Sequence, residues 1–141
     1  MVYTSNSAEE TQKIAADLAQ KYQNGGIIAF SGPLGAGKTT FIQGFARGLG
    51  INDRLISPTF IVMRQYDIPK NPQGKLFHID LYRFEDEVDI EGTGLSEIFA
   101  NPNNIVLIEW AEKLGKSLPQ QAMQIKIKLT SGNTREIEVR E

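Results

Sequence analysis

The first third of the chain begins with a helical pattern of apolar residues. Apolar side chains recur every four residues from Ile14 to Tyr22. Ser7 stands three residues before Glu10, which is the spacing of a capping box. These patterns predict a helix from about Ala8 to Tyr22, which the following Asn-Gly-Gly sequence ends.

A short, uninterrupted apolar run follows at Ile27–Phe30. Such a run is typical of a strand that is buried on both faces, as in a parallel sheet. The next stretch, Thr39–Gly50, places its phenylalanine, isoleucine and leucine residues on one helical face and ends in glycine. The predicted local order is therefore a strand, a glycine-rich loop and a helix.

The middle of the chain predicts further strands and two short helices. Ile61–Tyr66 and Leu76–Leu81 are strand-like, and the turn-forming residues between them predict a hairpin connection. Ile105–Ile108 is a second apolar run of the buried type. Short helices are expected in Leu95–Phe99 and Ala111–Leu118.

The end of the chain changes from uniform apolar runs to strict alternation. Gln124–Leu129 and Arg135–Arg140 alternate polar and apolar residues, which indicates strands with one buried and one solvated face. The Ser-Gly-Asn-Thr sequence between them predicts an antiparallel hairpin. Together the patterns predict an α/β fold in one domain over residues 1–141, with parallel central strands and antiparallel strands at the edges.

Composition narrows the classes of function. Fifteen basic and seventeen acidic residues give a net charge of −2, so no broad cationic surface is expected to hold RNA or DNA directly. The absence of cysteine excludes disulfides, thiolate zinc sites and thiol catalysis. Neither a signal-peptide pattern nor an apolar run of membrane-spanning length occurs, so we expect a soluble, cytoplasmic protein with no membrane partner.

The glycine-rich loop is the most specific functional motif. GPLGAGKT, from Gly32 to Thr39, matches G-x-x-x-x-G-K-[ST], the phosphate-binding loop or P-loop. In such a loop the backbone N–H groups surround phosphate oxygens, Lys38 binds the β and γ phosphates, and the Thr39 hydroxyl binds Mg²⁺. A P-loop NTPase-like three-layer sandwich is therefore expected. The predicted nucleotide-binding residues of the loop are Gly32, Pro33, Leu34, Gly35, Ala36, Gly37, Lys38, Thr39 and Thr40.

Two predicted strands end in carboxylates, at Asp80 and Glu109. If both strands run parallel to Ile27–Phe30, these acids meet the P-loop at one edge of the sheet, where they can bind Mg²⁺ or orient the attacking water. Glu109 is favoured as the magnesium ligand, and Asp80 as an acid that orients water or supports the metal's ligands, although the reverse assignment stays open. The predicted catalytic residues are Lys38, Asp80 and Glu109, and the predicted metal site is Thr39, Glu109 and Asp80.

A Ser-Pro-Thr-Phe segment follows the predicted second helix. In P-loop hydrolases a threonine on this connection often senses the γ phosphate, and the segment orders or relaxes with the nucleotide state. A plain X-Pro entry into a strand is the alternative, and the pattern does not separate the two. The residues of this switch-like segment are Ser57, Pro58, Thr59 and Phe60.

Four other residues support weaker hypotheses. His78 lies two residues before Asp80 inside an apolar strand, which favours a structural histidine over a catalytic one. Trp110, the one tryptophan, either packs beside a nucleotide or fills the core, and for a lone tryptophan the core is favoured. Arg47 and Arg83 are less favoured candidates for phosphate contacts.

In this order and at these intervals, GPLGAGKTT, SPTF, HIDLYR and IEWAEKL resemble the motifs of the TsaE family, also called YjeE. The resemblance covers roughly Ser7 to Ser117, and it is specific because ordinary P-loop proteins do not combine these motifs. Two departures are mild. Ala111 stands where the family often has proline, and Gly92–Leu95 replaces a Leu-Gly-Leu segment, so the turn near Glu91 is expected to differ in shape.

The resemblance implies an ATPase, with ATP and Mg²⁺ as cofactors, that bacteria require to make threonylcarbamoyladenosine in tRNAs that read codons beginning with A. It implies binding to the TsaB–TsaD pair, with hydrolysis resetting that complex and tRNA reached only through it. The implied roles are phosphate and magnesium binding for Lys38 and Thr39, a magnesium-associated acid for Glu109, an acid needed for hydrolysis for Asp80, nucleotide contact for Trp110 and a switch for Thr59.

Three other interpretations stay open. A small-molecule or nucleoside kinase shares the loop but usually has an arginine-bearing lid, and the lid-sized stretch Glu85–Glu97 contains no arginine. A GTPase-type switch would carry an N-K-x-D sequence, which the chain lacks. A TsaE protein whose slow hydrolysis merely times partner binding is not separated by sequence from one with efficient turnover.

Overall fold

The secondary structure follows the predicted order, with one additional strand near the N terminus. The computed structural model describes residues 1–31, 37–53, 63–82 and 94–141. Its strands are β1 (Val2–Ser5), β2 (Gly26–Ser31), β3 (Met63–Asp67), β4 (Lys75–Asp80), β5 (Ile105–Glu109), β6 (Met123–Ser131) and β7 (Thr134–Arg140). Its helices are α1 (Ala8–Ala19), α2 (Lys38–Gly48) and α3 (Leu95–Ala100), with 3₁₀ segments at Gln20–Tyr22 and Ala111–Ser117.

Within these ranges the strands form one mixed sheet in the spatial order β1-β7-β6-β2-β5-β4-β3. The four strands β6, β2, β5 and β4 run parallel to one another. β3 is antiparallel to β4, and β7 is antiparallel to both of its neighbours. The predicted α/β fold, with parallel strands in the centre and antiparallel strands at the edges, is confirmed.

Two strands differ from their predictions. The alternation in Gln124–Leu129 predicts a hairpin strand at the margin, and β6 does form that hairpin with β7, but it also pairs in parallel with β2. It alternates because one of its faces is solvated: Ile125 and Ile127 are buried, whereas Lys126 is exposed. β1 is not predicted by the sequence pattern, because four residues are too few for a period to be recognised.

Helical layers cover the two faces of the sheet. α1 and α2 pack on one face, and α3 with the Ala111–Ser117 segment packs on the other, which confirms the three-layer architecture. Because strand side chains alternate, Phe30 of β2 points toward α1 and α2, while Ala29 points toward the opposite layer. Both faces of the central strands are therefore buried, which explains their uniform apolar runs.

α1 and α2 lie side by side and run in the same direction, since Gly44 lies against Gln12 and Gly48 lies against Ala16. A Cβ atom on Gly44 would be 2.5 Å from the Cα atom of Gln12, so only glycine allows the two helix backbones to approach this closely. As a result, both helices begin at the same edge of the sheet, next to the C-terminal end of β2.

The start of α1 confirms the predicted cap. The Glu10 N–H donates to Ser7 Oγ at 3.1 Å. The Glu10 carboxylate in turn accepts from the Asn6 N–H at 2.8 Å, rather than from the Ser7 N–H of a regular capping box. The helix therefore begins where the sequence predicts, with the reciprocal bond displaced by one residue.

The remaining predicted elements are present, but their first or last residues differ from the prediction. β3 and β4 form the predicted hairpin, although Ile61 and Val62 lie outside the described residues and β4 ends at Asp80 instead of Leu81. The short helix after β5 is a 3₁₀ segment, and Gly115 interrupts it with a φ of 52°. In the described part of the chain, no helix combines the length and the apolar character needed to cross a lipid bilayer.

Candidate functional site

The C-terminal ends of three neighbouring parallel strands are level with one another. In the register of the sheet, Phe30 of β2 is the partner of Glu109 of β5, and Glu109 is the partner of Asp80 of β4. The condition on which the predicted site depends, that β4 and β5 run parallel to β2, is therefore met. Side-chain alternation puts Glu109 and Asp80 on the same face as Phe30, the face that α2 covers.

The P-loop leaves this edge of the sheet and enters α2. Its middle residues, 32–36, lie outside the described residues, but both of its ends are described. Ser31 ends β2, and Gly37 precedes α2 with a φ of 100°, a conformation that favours glycine. Lys38 and Thr39 therefore stand in the first turn of a helix, where N–H groups have no partner within the helix. The loop residues whose structure is not described are Gly32, Pro33, Leu34, Gly35 and Ala36.

Lys38 is buried, with only 5% of its surface exposed. Its ammonium group lies 4.9 Å from the centre of the Trp110 ring, a distance at which a cation is attracted to the aromatic face. Its charge also acts on the Asp80 carboxyl group. The structure thus brings together Lys38, Asp80 and Trp110, although Lys38 and Trp110 are 72 residues apart in the sequence.

Asp80 is a half-buried acid. Its Oδ1 atom accepts a hydrogen bond of 2.9 Å from the Tyr82 N–H. Burial raises the pKa of Asp80 above its ordinary value, and the nearby Glu109 carboxylate adds to this effect, while the Tyr82 hydrogen bond, His78 and Lys38 oppose it. Asp80 therefore holds a proton more tightly than an exposed aspartate does.

Glu109 is almost fully buried and is held by a histidine. His78 Nε2 lies 2.7 Å from Glu109 Oε2, and the two side chains are 1% and 7% exposed. His78 lies inside the apolar strand β4, as expected for a structural histidine. However, its partner is the acid that the sequence favours as a magnesium ligand, which links this histidine to the candidate site.

Trp110 contacts both the core and the site. It packs against the apolar cluster on the α3 side of the sheet, while its ring lies near Lys38, 5.5 Å from the Tyr82 ring and 5.4 Å from Lys113 Nζ. Its φ of 59° makes it the only non-glycine residue with a positive φ in the described ranges. A left-handed backbone conformation is unusual for tryptophan, and such strained conformations are typical of functional sites.

Lys113 is a residue of the site that sequence reasoning missed. Its ammonium group donates to the Tyr82 carbonyl oxygen at 2.9 Å and so joins the segment after β5 to the segment after β4. No sequence pattern identifies it, because the two segments are 31 residues apart along the chain.

A cavity of about 360 Å³ adjoins the start of α2 and is a second feature that sequence reasoning missed. The N-terminal ends of α1 and α2 both border it. Arg135 of β7 also lines it, next to Gly37, and among the described residues the buried Arg135 Nη1 atom has no hydrogen-bond partner. Its lining residues are Asn6, Ser7, Ala8, Glu9, Thr11, Gly37, Thr40, Asn133 and Arg135.

The other candidates do not join this site in the described ranges. Arg47 lies in the last turn of α2, far from the P-loop, and donates to Gln12 Oε1 at 3.3 Å. Arg83 lies outside the described residues, as does the switch-like segment Ser57, Pro58, Thr59 and Phe60.

The oxygen donors of the site suit Mg²⁺. Among the described residues, no group of three or more histidine, cysteine, aspartate and glutamate side chains is arranged to hold a metal ion. Mg²⁺ rarely uses such a cage and is instead bound through one or two carboxylates, a hydroxyl and the phosphates of the substrate. Glu109, Asp80 and Thr39 supply donors of these types at one sheet edge, so the residues fit the metal.

Comparison with known proteins identifies relatives whose sequences match most of the chain. The model of a family described as threonylcarbamoyl adenosine biosynthesis protein TsaE matches residues 5–137. The tRNA threonylcarbamoyladenosine biosynthesis protein TsaE of Bacillus subtilis is 43% identical over 129 residues, which cover 92% of this chain and 78% of the relative. The TsaE of Treponema pallidum is 31% identical over 135 residues, 96% of each chain. A crystal structure of Bacillus subtilis YdiB superposes with a TM-score of 0.80 at 36% identity, covering 97% of this chain and 82% of that one.

Proposed function

Because the chain belongs to the TsaE family of threonylcarbamoyladenosine biosynthesis proteins, we propose that it is a Mg²⁺-dependent ATPase that acts on the TsaB–TsaD pair. The hydrolysis of ATP resets that pair between rounds of tRNA modification, and the chain itself transfers no threonylcarbamoyl group. The observation that supports an ATPase most strongly is the register of β2, β5 and β4. These strands end at the same position along the sheet, which brings Asp80 and Glu109 to the edge where the P-loop enters α2.

The proposed division of labour follows from charge and position. Lys38, at the first turn of α2, neutralises charge on the β and γ phosphates. Asp80, on the adjacent strand end, accepts a hydrogen bond from the attacking water and so orients it. Glu109 and the Thr39 hydroxyl would hold Mg²⁺, which would neutralise charge on the phosphates when bound.

The cavity next to Gly37 and Thr40 is proposed to receive the ribose and base. Its volume of about 360 Å³ falls within the range of small-molecule sites. Arg135, which is half-buried with a buried Nη1 atom, supplies a cation on the P-loop side of this cavity, and the N-terminal ends of two helices favour the negatively charged phosphates there. A preference for adenine over other bases is proposed from the family alone.

The partner proposal rests on the family and agrees with the charge of the chain. The relatives are named for tRNA threonylcarbamoyladenosine biosynthesis. With a net charge of −2, this chain has no excess of basic residues for binding tRNA directly. Its charge therefore favours contact with tRNA through a protein complex.

The test is steady-state ATP hydrolysis with Mg²⁺, by the protein alone and mixed with its cognate TsaB and TsaD. We expect slow turnover alone, faster turnover with the pair, and a loss of about 10²–10³-fold in Lys38→Ala, because that ammonium group acts on the transferring phosphate. Lys70→Ala, which changes an exposed lysine in the β3–β4 turn, is the matched control and should retain wild-type turnover.

Two results would contradict this proposal. If Lys38→Ala is indistinguishable from wild type and the pair changes neither hydrolysis nor tRNA modification, the chain is not this ATPase. If the γ phosphate is recovered on a small-molecule acceptor instead of as inorganic phosphate, the chain is a kinase.

A further inference from the structure

The His78–Glu109 pair is the most deeply buried contact between ionisable groups in the described part of the chain. In the β4–β5 register, His78 is the partner of Leu107, so its ring reaches diagonally along the sheet toward Glu109, two residues closer to the C-terminal edge. A Glu109 that binds Mg²⁺ is an ionised carboxylate with no hydrogen to donate, so in that state the 2.7 Å contact has His78 Nε2 as donor and Glu109 Oε2 as acceptor.

Stability alone does not explain this pair. Removing a carboxylate and an imidazole from water is unfavourable, and well-packed apolar residues in place of a buried ionic pair are often as stable or more stable. The same face of these strands already supplies such residues, including Leu76 and Leu107. What the histidine adds is a fixed direction for the carboxylate.

We propose that His78 is a positioning residue, which occupies Glu109 Oε2 and thereby keeps Glu109 Oε1 directed toward the Mg²⁺ site next to Lys38 and Thr39. This inference rests on the proposed function, because it assumes that Glu109 binds the metal of a bound nucleotide. A free carboxylate would rotate between orientations, and each orientation that turns away from the metal would lower its affinity. Hydrogen bonds to metal ligands of this kind typically change metal affinity by about 10–100-fold.

Only one nitrogen of the ring takes part in this contact. Among the described residues, His78 Nδ1 is buried and has no hydrogen-bond partner. The proposed role therefore requires a donor at the position of Nε2 and nothing from Nδ1. This distinction yields a conservative variant, because a glutamine side chain can present an amide N–H at about the reach of Nε2, whereas leucine presents none.

The experiment measures Mn²⁺ binding to the ADP complex by electron paramagnetic resonance, together with ADP affinity in EDTA from the fluorescence of Trp110. In His78→Leu we expect the Kd for Mn²⁺ to rise by about 10–100-fold, while the metal-free affinity for ADP stays within about twofold of wild type. His78→Gln should recover most of the affinity for Mn²⁺. In a Glu109→Gln background, His78→Leu should cause no further loss, because an amide that gives its oxygen to His78 has only an NH₂ group left and no oxygen ligand for His78 to orient.

The outcomes separate this inference from the function on which it rests. A wild type that binds neither ADP nor Mn²⁺ overturns both. A wild type that binds both, with a Kd for Mn²⁺ that is unchanged in His78→Leu or equally raised in the Glu109→Gln background, overturns the role of His78 alone. Should His78→Leu not fold, His78→Asn replaces it, since its shorter amide does not reach Glu109 and the same comparison applies.

Discussion

The centre and the margin of the sheet use charged residues in opposite ways. At the margin, Lys128 and Glu136 face each other across β6 and β7 at 3.6 Å, with both side chains at least 36% exposed. In the centre, His78 of β4 contacts Glu109 of β5 diagonally at 2.7 Å, with both side chains buried. Water screens the first pair and leaves it with little effect on stability, whereas each member of the second depends on its protein partner because burial removes it from water.

This difference follows from how the two regions are covered. Helical layers pack on both faces of the parallel strands, so any polar group there is removed from water. The alternating strands β6 and β7 leave one face solvated. A charged residue in the centre is therefore either satisfied by a specific partner or costly, which makes the buried polar groups at the ends of β4 and β5 the best indicators of chemistry.

The largest expected effect comes from the central acid. Glu109→Gln keeps the size and a hydrogen-bond acceptor for His78 but removes the charge, so we expect Mg²⁺-dependent ATP hydrolysis to fall by about 100-fold or more. Glu136→Gln makes the same chemical change at the margin and should leave hydrolysis unchanged. Steady-state phosphate release measures both variants. Equal rates in the two variants would show that burial does not distinguish these acids.

The next effect concerns the helices that cover the centre. Gly44→Ala would place a methyl group 2.5 Å from the backbone of α1, and the two helices must separate to accept it. We expect a loss of about 1–3 kcal/mol in the free energy of unfolding, measured by urea denaturation, even though alanine favours a helix. Gln43→Ala in the same helix is the control and should change stability by less than about 0.5 kcal/mol. A stabilised Gly44→Ala would contradict the close approach of α1 and α2.

The smallest expected effect is the dependence of stability on the protonation of Asp80. Asp80 ends a central strand, whereas Asp67, the control, ends an exposed one. Burial raises the pKa of Asp80 above its ordinary value, so its neutral form stabilises the folded protein at acidic pH. That stabilisation is fully present below the pKa of the unfolded chain and is lost as the pH rises through the folded pKa. Ionised Asp80 is therefore unfavourable at neutral pH.

Asp80→Asn should accordingly raise the Tm by about 1–3 °C at about pH 7.5, and the gain should vanish at about pH 3.5. Asp67→Asn is the control, because Asp67 ends β3 in the solvent with its side chain 89% exposed and paired with Lys75. It should show no gain at neutral pH. Differential scanning calorimetry across this pH range measures both, and a gain for Asp80→Asn that grows toward acidic pH would contradict the assigned direction.

Much of the fold follows from patterns that span a few residues. The cap at Ser7, the buried runs that become β2 and β5, and the glycine-lysine entry into α2 are local features, and each is recognisable without knowledge of the rest of the chain. The acids at Asp80 and Glu109 are also found this way, because they terminate recognisable strands. Their meeting at one edge depends on strand direction, which the sequence leaves as an assumption and the register confirms.

The sequence by itself thus determined the elements, the P-loop and the acids at strand ends, because period, capping and turn chemistry act between near neighbours in the chain. Only the tertiary structure decided that His78 holds Glu109, that Lys113 joins two strand ends, and that Arg135 borders a cavity beside Gly37. Each of these contacts joins residues 31 or more positions apart. Such pairs leave no periodic trace in the sequence, because their proximity depends on the order of strands in the sheet and on the packing of helices against it.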